Sequence, residues 1–209
     1  MADVSLTLPA SPADIAALRV GDTVRLSGEI HASAGLPTYD RLLGCLDGVE
    51  PLPFEFSGGA LFHLGSLNET AADGTMRLHY LNPTTSTRFD KHMPRLIPGL
   101  GLRLVGGKGG LNADCARTMK EAGCVYLSFL GGGAPILTDA VTRITGIGWP
   151  EMISHYRIVR MEVSDLGPLT VGIDAQGGSI YDQTRDHAAS RREEIIARMR
   201  TEREAARGA

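Results

Sequence analysis

The chain is poor in cysteine. Its 209 residues hold three, Cys45, Cys115 and Cys124. The number is odd and no Cys-x-x-Cys pair occurs, which excludes a closed disulfide framework and a zinc ribbon. The three read as buried reduced thiols, and the expected setting is a reducing, cytoplasmic one. Long apolar runs are missing too: none approaches the roughly eighteen residues of a membrane span. Met1 to Leu6 has neither a basic region nor a long apolar one, so no secretory signal is expected. Positive charge is not in excess. With 21 Lys and Arg against 24 Asp and Glu, the formal net charge is −3, which argues against a general nucleic-acid binder. The loop from Gly106 to Leu111 has no Ser or Thr after its lysine, so it is no Walker loop, and no serine nucleophile elbow occurs.

What is present is glycine. Of twenty-six glycines, eleven fall in short clusters at 58–59, 106–110, 131–133 and 177–178, which read as tight loops. The hydrophobic share of 43% and charged share of 22% are ordinary for a globular domain. Ser11 to Leu18 predicts a short helix with Ser11 as N-cap, Pro12 at its first position and Asp14 in its first turn. Thr23 to Ile30 alternates as a half-buried strand. Further strands are expected at 60–65, 76–81, 102–107 and 125–130, and helices at 39–46 and 112–122. Two last strands, 158–163 and 169–174, are expected to flank a turn over 164–168. His63 and His79 lie in apolar strands and read as packed side chains. The alternation of strand, glycine loop, helix and strand predicts one mixed α/β domain over residues 1–182. From Gln183 to Ala209 the composition shifts to seven arginines and five acids. This tail predicts a solvated helix whose narrow stripe of Ile195, Ile196 and Met199 docks on its own domain or on a partner.

Chemistry concentrates in two segments. Asn82-Pro83-Thr84-Thr85-Ser86-Thr87-Arg88-Phe89-Asp90 packs capping residues around a proline, as at a helix start expected to run on to Ile97. Such a start with an arginine is an anion site, because free N–H groups and the helix dipole face the ligand. Twenty residues after Arg88, Lys108 sits inside Gly106-Gly107-Lys108-Gly109-Gly110. Brought together, Arg88, Lys108 and the hydroxyls would hold a carboxylate or a phosphate. The plainer alternative is that Thr84 and Thr85 cap a helix and Arg88 pairs with Asp90.

These motifs resemble the C-terminal domain of class I fumarases and the β subunit of L-tartrate dehydratases, the iron–sulfur hydro-lyases. That family carries a Gly-Pro-Thr-Thr-Ser-x-Arg-Met-Asp segment and a downstream Gly-Lys-Gly. Here Asn82 and Phe89 depart from it, while Pro83, Thr84, Thr85, Ser86, Arg88 and Asp90 stand in place. Val24 to Gly28 and Gly131 to Pro135 match further segments in order, and the likeness covers most of residues 15–183. It implies a swivelling β/β/α layered domain with mixed sheets. It implies a β subunit that hydrates or dehydrates a small hydroxy (di)carboxylic acid, fumarate/malate or tartrate. The partner α subunit would bring a [4Fe-4S] cluster in an α2β2-like assembly, with none bound by this chain alone, no nucleic acid and no membrane.

Carried over residue by residue, the resemblance makes Thr84 the catalytic base. Arg88, Lys108, Thr85 and His31 would lie at the substrate. A threonine is a poor base unless positive charge stabilises its alkoxide, and Arg88 and Lys108 would supply it. The family also has an early Ala-Arg-Asp-x-Ala-His segment. Its arginine falls here on Ala34 or Gly35, and its histidine on Pro37 or Thr38. Either His31 or Arg41 substitutes for the lost clamp, or the substrate differs in that half. A divergent, non-catalytic module that binds an anion or another subunit is the alternative.

Overall fold

In the computed structural model, which describes residues 1–207, the chain forms nine strands and six helices of a mixed α/β domain. Three parallel strands make its centre: β3 (Ala60–Phe62), β6 (Leu104–Gly107) and β7 (Val125–Ser128). β2 (Thr23–Ala32) runs parallel beside β3, and β1 (Asp3–Thr7) lies parallel on the earlier part of the same edge. The long β9 (Ile158–Ile173) is antiparallel to both β7 and β2. The pairings β2–β3–β6–β7–β9 therefore close back on β2. β8 (Val141–Gly148) extends the sheet from β9, and β4 (Leu64–Thr70) with β5 (Met76–Pro83) forms a separate antiparallel hairpin.

The two-residue period of the strands divides the core. Phe62, Leu104, Val125 and Leu127 face one cluster, shared with Leu26, Ile30, Met161 and Val171. Leu61, Val105 and Tyr126, each one residue out of step, face the helices. There they meet α2 (Leu36–Leu46), α3 (Met93–Gly99) and α4 (Ala113–Ala122) through Tyr39, Leu42, Met93, Leu96, Cys115 and Met119. α1 (Pro12–Ala17) begins where expected. The Ser11 hydroxyl accepts from the Asp14 amide, and Asp14 accepts from the Ser11 amide, a reciprocal cap. α4 is capped by Asn112, whose side chain accepts from the Cys115 amide.

Several expectations are corrected. The turn over 164–168 is part of β9, which bends there without ending: Asp165 takes a φ of +56° and the register on β2 shifts nearby. Gly167 makes this passage possible, since a Cβ there would stand 2.8 Å from the Val24 carbonyl oxygen. The helix expected from the threonine segment to Ile97 is broken. Ser86–Phe89 is a single 3-10 turn, and α3 starts separately at Met93. His79 is exposed on the outer hairpin, 3.3 Å from Glu69, where His63 is fully buried. α5 (Ala134–Asp139) follows the triple glycine.

α6 (Ile180–Arg207) has no buried residue, and Met199 is exposed on it. Its stripe is therefore not seated on this domain. No helix among the described residues is long and apolar enough to cross a membrane.

Candidate active site

Ligands of parallel α/β sheets gather outside the carboxyl ends of the strands. Here the ends of β3, β6 and β7 deliver His63, Lys108 and Phe129 to one side, and the threonine segment returns from β5 to join them. Backbone bonds knit the ends together. The His63 amide donates to Gly106 O (2.7 Å), the Thr84 amide to His63 O (2.9 Å) and the Phe129 amide to Gly107 O (2.8 Å). Thr85 forms a parallel bridge with Lys108. In it the Lys108 amide donates to Thr84 O at 3.0 Å and the Ser86 amide to Lys108 O at 2.8 Å. Thr85, extended in this bridge (φ −72°, ψ 117°), directly precedes the 3-10 turn, and its side chain makes no capping bond.

Thr84, Thr85, Arg88 and Lys108 thus come together. Thr84 and Thr85 are half-buried and Arg88 is exposed. Arg88 Nη1 stands 3.5 Å from Thr84 Oγ1, a long contact. Among the described residues neither Arg88 nor Lys108 makes an ion pair, and Arg88 does not bond Asp90. Asp90 instead accepts from the Asn112 amide at 3.1 Å, and burial holds its carboxyl above the usual range. Arg88 at the Thr84 hydroxyl and Lys108, joined to Thr85 through its backbone, both lack carboxylate partners among the described residues, which suits an acidic ligand. Gly131 of the triple-glycine loop adjoins the Lys108 stem. From there a groove lined by Thr23, Ser128, Leu130 and Thr170 continues toward Tyr181 and Thr184 on α6.

His31 is not part of this cluster. It is buried on β2 against Phe56 (4.5 Å between ring centres) and Phe54, with Nδ1 3.3 Å from Ala60 O. Arg41 is not a stand-in clamp either. It is bound to Glu50 and Glu151, and lies 4.6 Å over the Trp149 ring. Of the two positions on which the early arginine falls, Ala34 and Gly35, the second has no room for a side chain. A Cβ on Gly35 would overlap the Tyr156 ring, and the Thr38 hydroxyl donates to the Tyr156 carbonyl.

Behind the cluster lie residues that the motifs did not single out for function. His63, Ser86 and Tyr126 are fully buried, with His63 Nδ1 2.7 Å from Ser86 Oγ and Ser86 Oγ 2.8 Å from the Tyr126 hydroxyl. Burial, helped by nearby His92, pushes the His63 pKa down to about 3, and burial pushes that of His31 down to about 4. Both are therefore neutral when folded and ordinary when unfolded. Below about pH 6.5 the unfolded chain binds protons that the folded chain refuses. Stability is fully present above that pH. It falls by about 1.4 kcal/mol per pH unit for each imidazole as pH drops toward 4. Urea midpoints between pH 7 and pH 4 check this: the midpoint of His63→Asn falls less steeply than that of the parent chain.

Metal ligands are another matter. Among the described residues no group of three or more His, Cys, Asp or Glu side chains is placed to hold a metal ion. Burial raises the Cys115 thiol to about 12 and the Cys124 thiol further, which opposes the thiolate that a cluster needs. Cys45 is half-buried, and all three are free thiols. The chain's own residues do not fit an iron–sulfur cluster.

Known proteins are similar to this chain over most of its length. The chain is 29% identical over 189 residues to the "Putative L(+)-tartrate dehydratase subunit beta" of Methanocaldococcus jannaschii, covering 88% of this chain and 93% of that one. It is 27% identical over 191 residues to the L(+)-tartrate dehydratase subunit beta of Escherichia coli, covering 91% and 92%. It is 28% identical over 184 residues to the "Putative fumarate hydratase class I" of Geobacillus stearothermophilus, covering 86% of this chain and 34% of that longer protein. The family model described as Fumarase C-terminus matches residues 1–184, across both motifs and all nine strands, and the chain belongs to that family.

Proposed function

We propose that this chain is the β subunit of an iron–sulfur hydro-lyase acting on a small hydroxy (di)carboxylic acid such as malate or tartrate. Residues 1–182 are the hydro-lyase domain, a swivelling β/β/α unit, and the segment from 183 is a charged tail. The observation that carries the reading is the Thr85–Lys108 bridge. It sets Lys108 beside Thr84, while Arg88 reaches Thr84 Oγ1 at 3.5 Å with no acid in between. Arg88 offers a two-pronged fit to a carboxylate and Lys108 a second charge. Thr84 moves the proton at carbon, its alkoxide stabilised by the same two cations. Thr85 orients the carboxylate.

The iron–sulfur cluster that the family resemblance implies finds no ligand set among the described residues and is assigned to an α subunit, in an α2β2-like cytoplasmic assembly. The names of the tartrate dehydratase relatives as subunits support a partner of this kind. A second reading, a non-catalytic anion-binding module, is favoured by one observation: Tyr156 packs against Gly35, and neither His31 nor Arg41 stands at the cluster in place of the early clamp.

Anaerobic co-expression with an α-type subunit separates the two. The hydro-lyase reading predicts a brown, iron-bearing complex that dehydrates malate, tartrate or a related hydroxy acid. Co-purification without turnover of any acid on such a panel would move the assignment to the binding module.

A further inference from the structure

We propose that His63, Ser86 and Tyr126 form a positioning chain that holds Thr84 and Lys108 in register at the carboxyl end of the sheet. What that register serves rests on the hydro-lyase reading; its existence does not.

The direction of the chain follows from donor chemistry. The Gly110 amide can only donate, and it lies 3.3 Å from the Tyr126 hydroxyl oxygen. Tyr126 therefore accepts there, and its own proton goes to Ser86 Oγ at 2.8 Å. The serine proton then goes to His63 Nδ1 at 2.7 Å. Nδ1 is the bare nitrogen of a neutral ring, so the imidazole proton sits on Nε2. Every hydroxyl in this order has one donor and one acceptor. The reverse order turns the tyrosine proton toward the buried Tyr181 hydroxyl, with which it makes no hydrogen bond here.

The chain spans the elements that the site depends on. His63 follows directly on β3, and its carbonyl receives the Thr84 amide. Ser86 closes the bridge to Lys108, Tyr126 comes from β7, and Gly110 belongs to the lysine loop. The three side chains are fully buried, and a Cβ on Gly107 would overlap Ser86 Oγ. The three side chains are closed off from solvent, so their action is on geometry.

Stability alone does not account for it. His63 Nε2 is buried with no hydrogen-bond partner, packed near Phe89 (4.5 Å, stacked) and Tyr39 (5.4 Å, edge-on). An orphaned buried polar atom costs about 1–3 kcal/mol, and an apolar side chain of similar shape would avoid that cost. The bonds that remain fix one arrangement of four strand ends. Displacing a reacting group by about 1 Å can cost about 100-fold in rate, so this precision has a use.

The test has two arms. In the isolated full-length chain, long-range proton–nitrogen correlation reports the His63 tautomer, and hydrogen exchange reports the Lys108, Ser86 and Gly110 amides. The Nε2–H form is expected across pH 5–9. Ser86→Ala and Tyr126→Phe should speed exchange at those amides by about tenfold, leaving β2 and β9 amides unchanged. Tyr126→Phe keeps the ring, so it reads the hydroxyl even where Ser86→Ala loosens the core.

In the complex with the α subunit, assayed with malate and tartrate, both variants should lower kcat by about 10- to 100-fold with KM changed by less than about threefold. His63→Asn, whose Oδ1 stands in for Nδ1 as acceptor, should retain kcat to within about threefold, whereas His63→Leu should not. A proton on Nδ1, unchanged exchange in both variants, or unchanged kcat in both would each overturn the inference. If the parent complex turns over no acid, the hydro-lyase reading fails, and the tautomer and exchange alone decide for or against the chain.

Discussion

Arg88→Ala lowers kcat/KM of the reconstituted complex by about 100-fold, on the order of 2–3 kcal/mol of transition-state binding, with most of the change in KM. Arg88 is exposed in this chain and has no acidic partner, so its removal leaves no buried charge behind and does not lower the melting temperature. The loss is that of a carboxylate clamp together with one of the two charges beside the Thr84 alkoxide. Arg88→Lys restores only part of it, because an ammonium cannot make the two-pronged contact. Steady-state kinetics on the two variants, beside thermal melts, check the expectation. Unchanged kcat/KM in Arg88→Ala would remove the arginine from the site.

Gly107→Ala has the second large effect, and it acts on the fold as well as the site. Gly107 has no positive φ, so backbone freedom is not the reason for glycine. Space is the reason. A Cβ there would overlap Ser86 Oγ, approach His63 Cβ at 2.9 Å and stand 3.1 Å from the Thr84 carbonyl oxygen. All three belong to the packed centre, so nothing flexible can yield. Overpacking of this kind costs about 1–3 kcal/mol or more, which in a chain of this size is a fall in melting temperature of about 4–10 °C. The displaced groups carry the Thr84–Lys108 register, so turnover falls further than stability does. Gly109→Ala is the control: its nearest neighbour would be Thr85 Cγ2 at 3.6 Å, and only its φ of +82° opposes a side chain. That costs about 1 kcal/mol. Calorimetry on the two variants separates crowding from backbone strain.

Local signals carried much of the fold in the sequence. Ser11, Pro12 and Asp14 announce α1 because a reciprocal cap needs only residues within one turn. Asn112 announces α4 for the same reason. The threonine segment misled for a reason of equal clarity. Pro83, Thr84 and Thr85 carry the local marks of a helix start, but Pro83 ends β5 against Leu64 and Thr85 pairs with Lys108, more than twenty residues away. Non-local pairing overrides propensity and leaves no local trace. The long β9 is a further case: Asp165, Gly167 and Pro168 read as a turn, yet Gly167 lies flush against Val24 on β2.

The candidate site was legible where charge and glycine mark it. Thr84, Thr85, Arg88 and Lys108 are named by their motifs, and the structure brings them together. His31 could not be placed, because the alternation in β2 does not say which face a residue takes, and this one packs against Phe54 and Phe56. His63, Ser86 and Tyr126 are separated by 23 and 40 positions. Nothing in their spacing indicates that they touch. His63 could be read only as packed, which it is, without a hint of what it holds.

The most direct measurement is kcat of the iron-loaded complex carrying Thr84→Ala, alongside its iron content and its KM. The account predicts a fall of about 10²–10⁴-fold in kcat with iron content unchanged and KM little altered, as for a lost general base. A kcat equal to that of the parent complex would contradict it and return Thr84 to a purely structural place in the bridge.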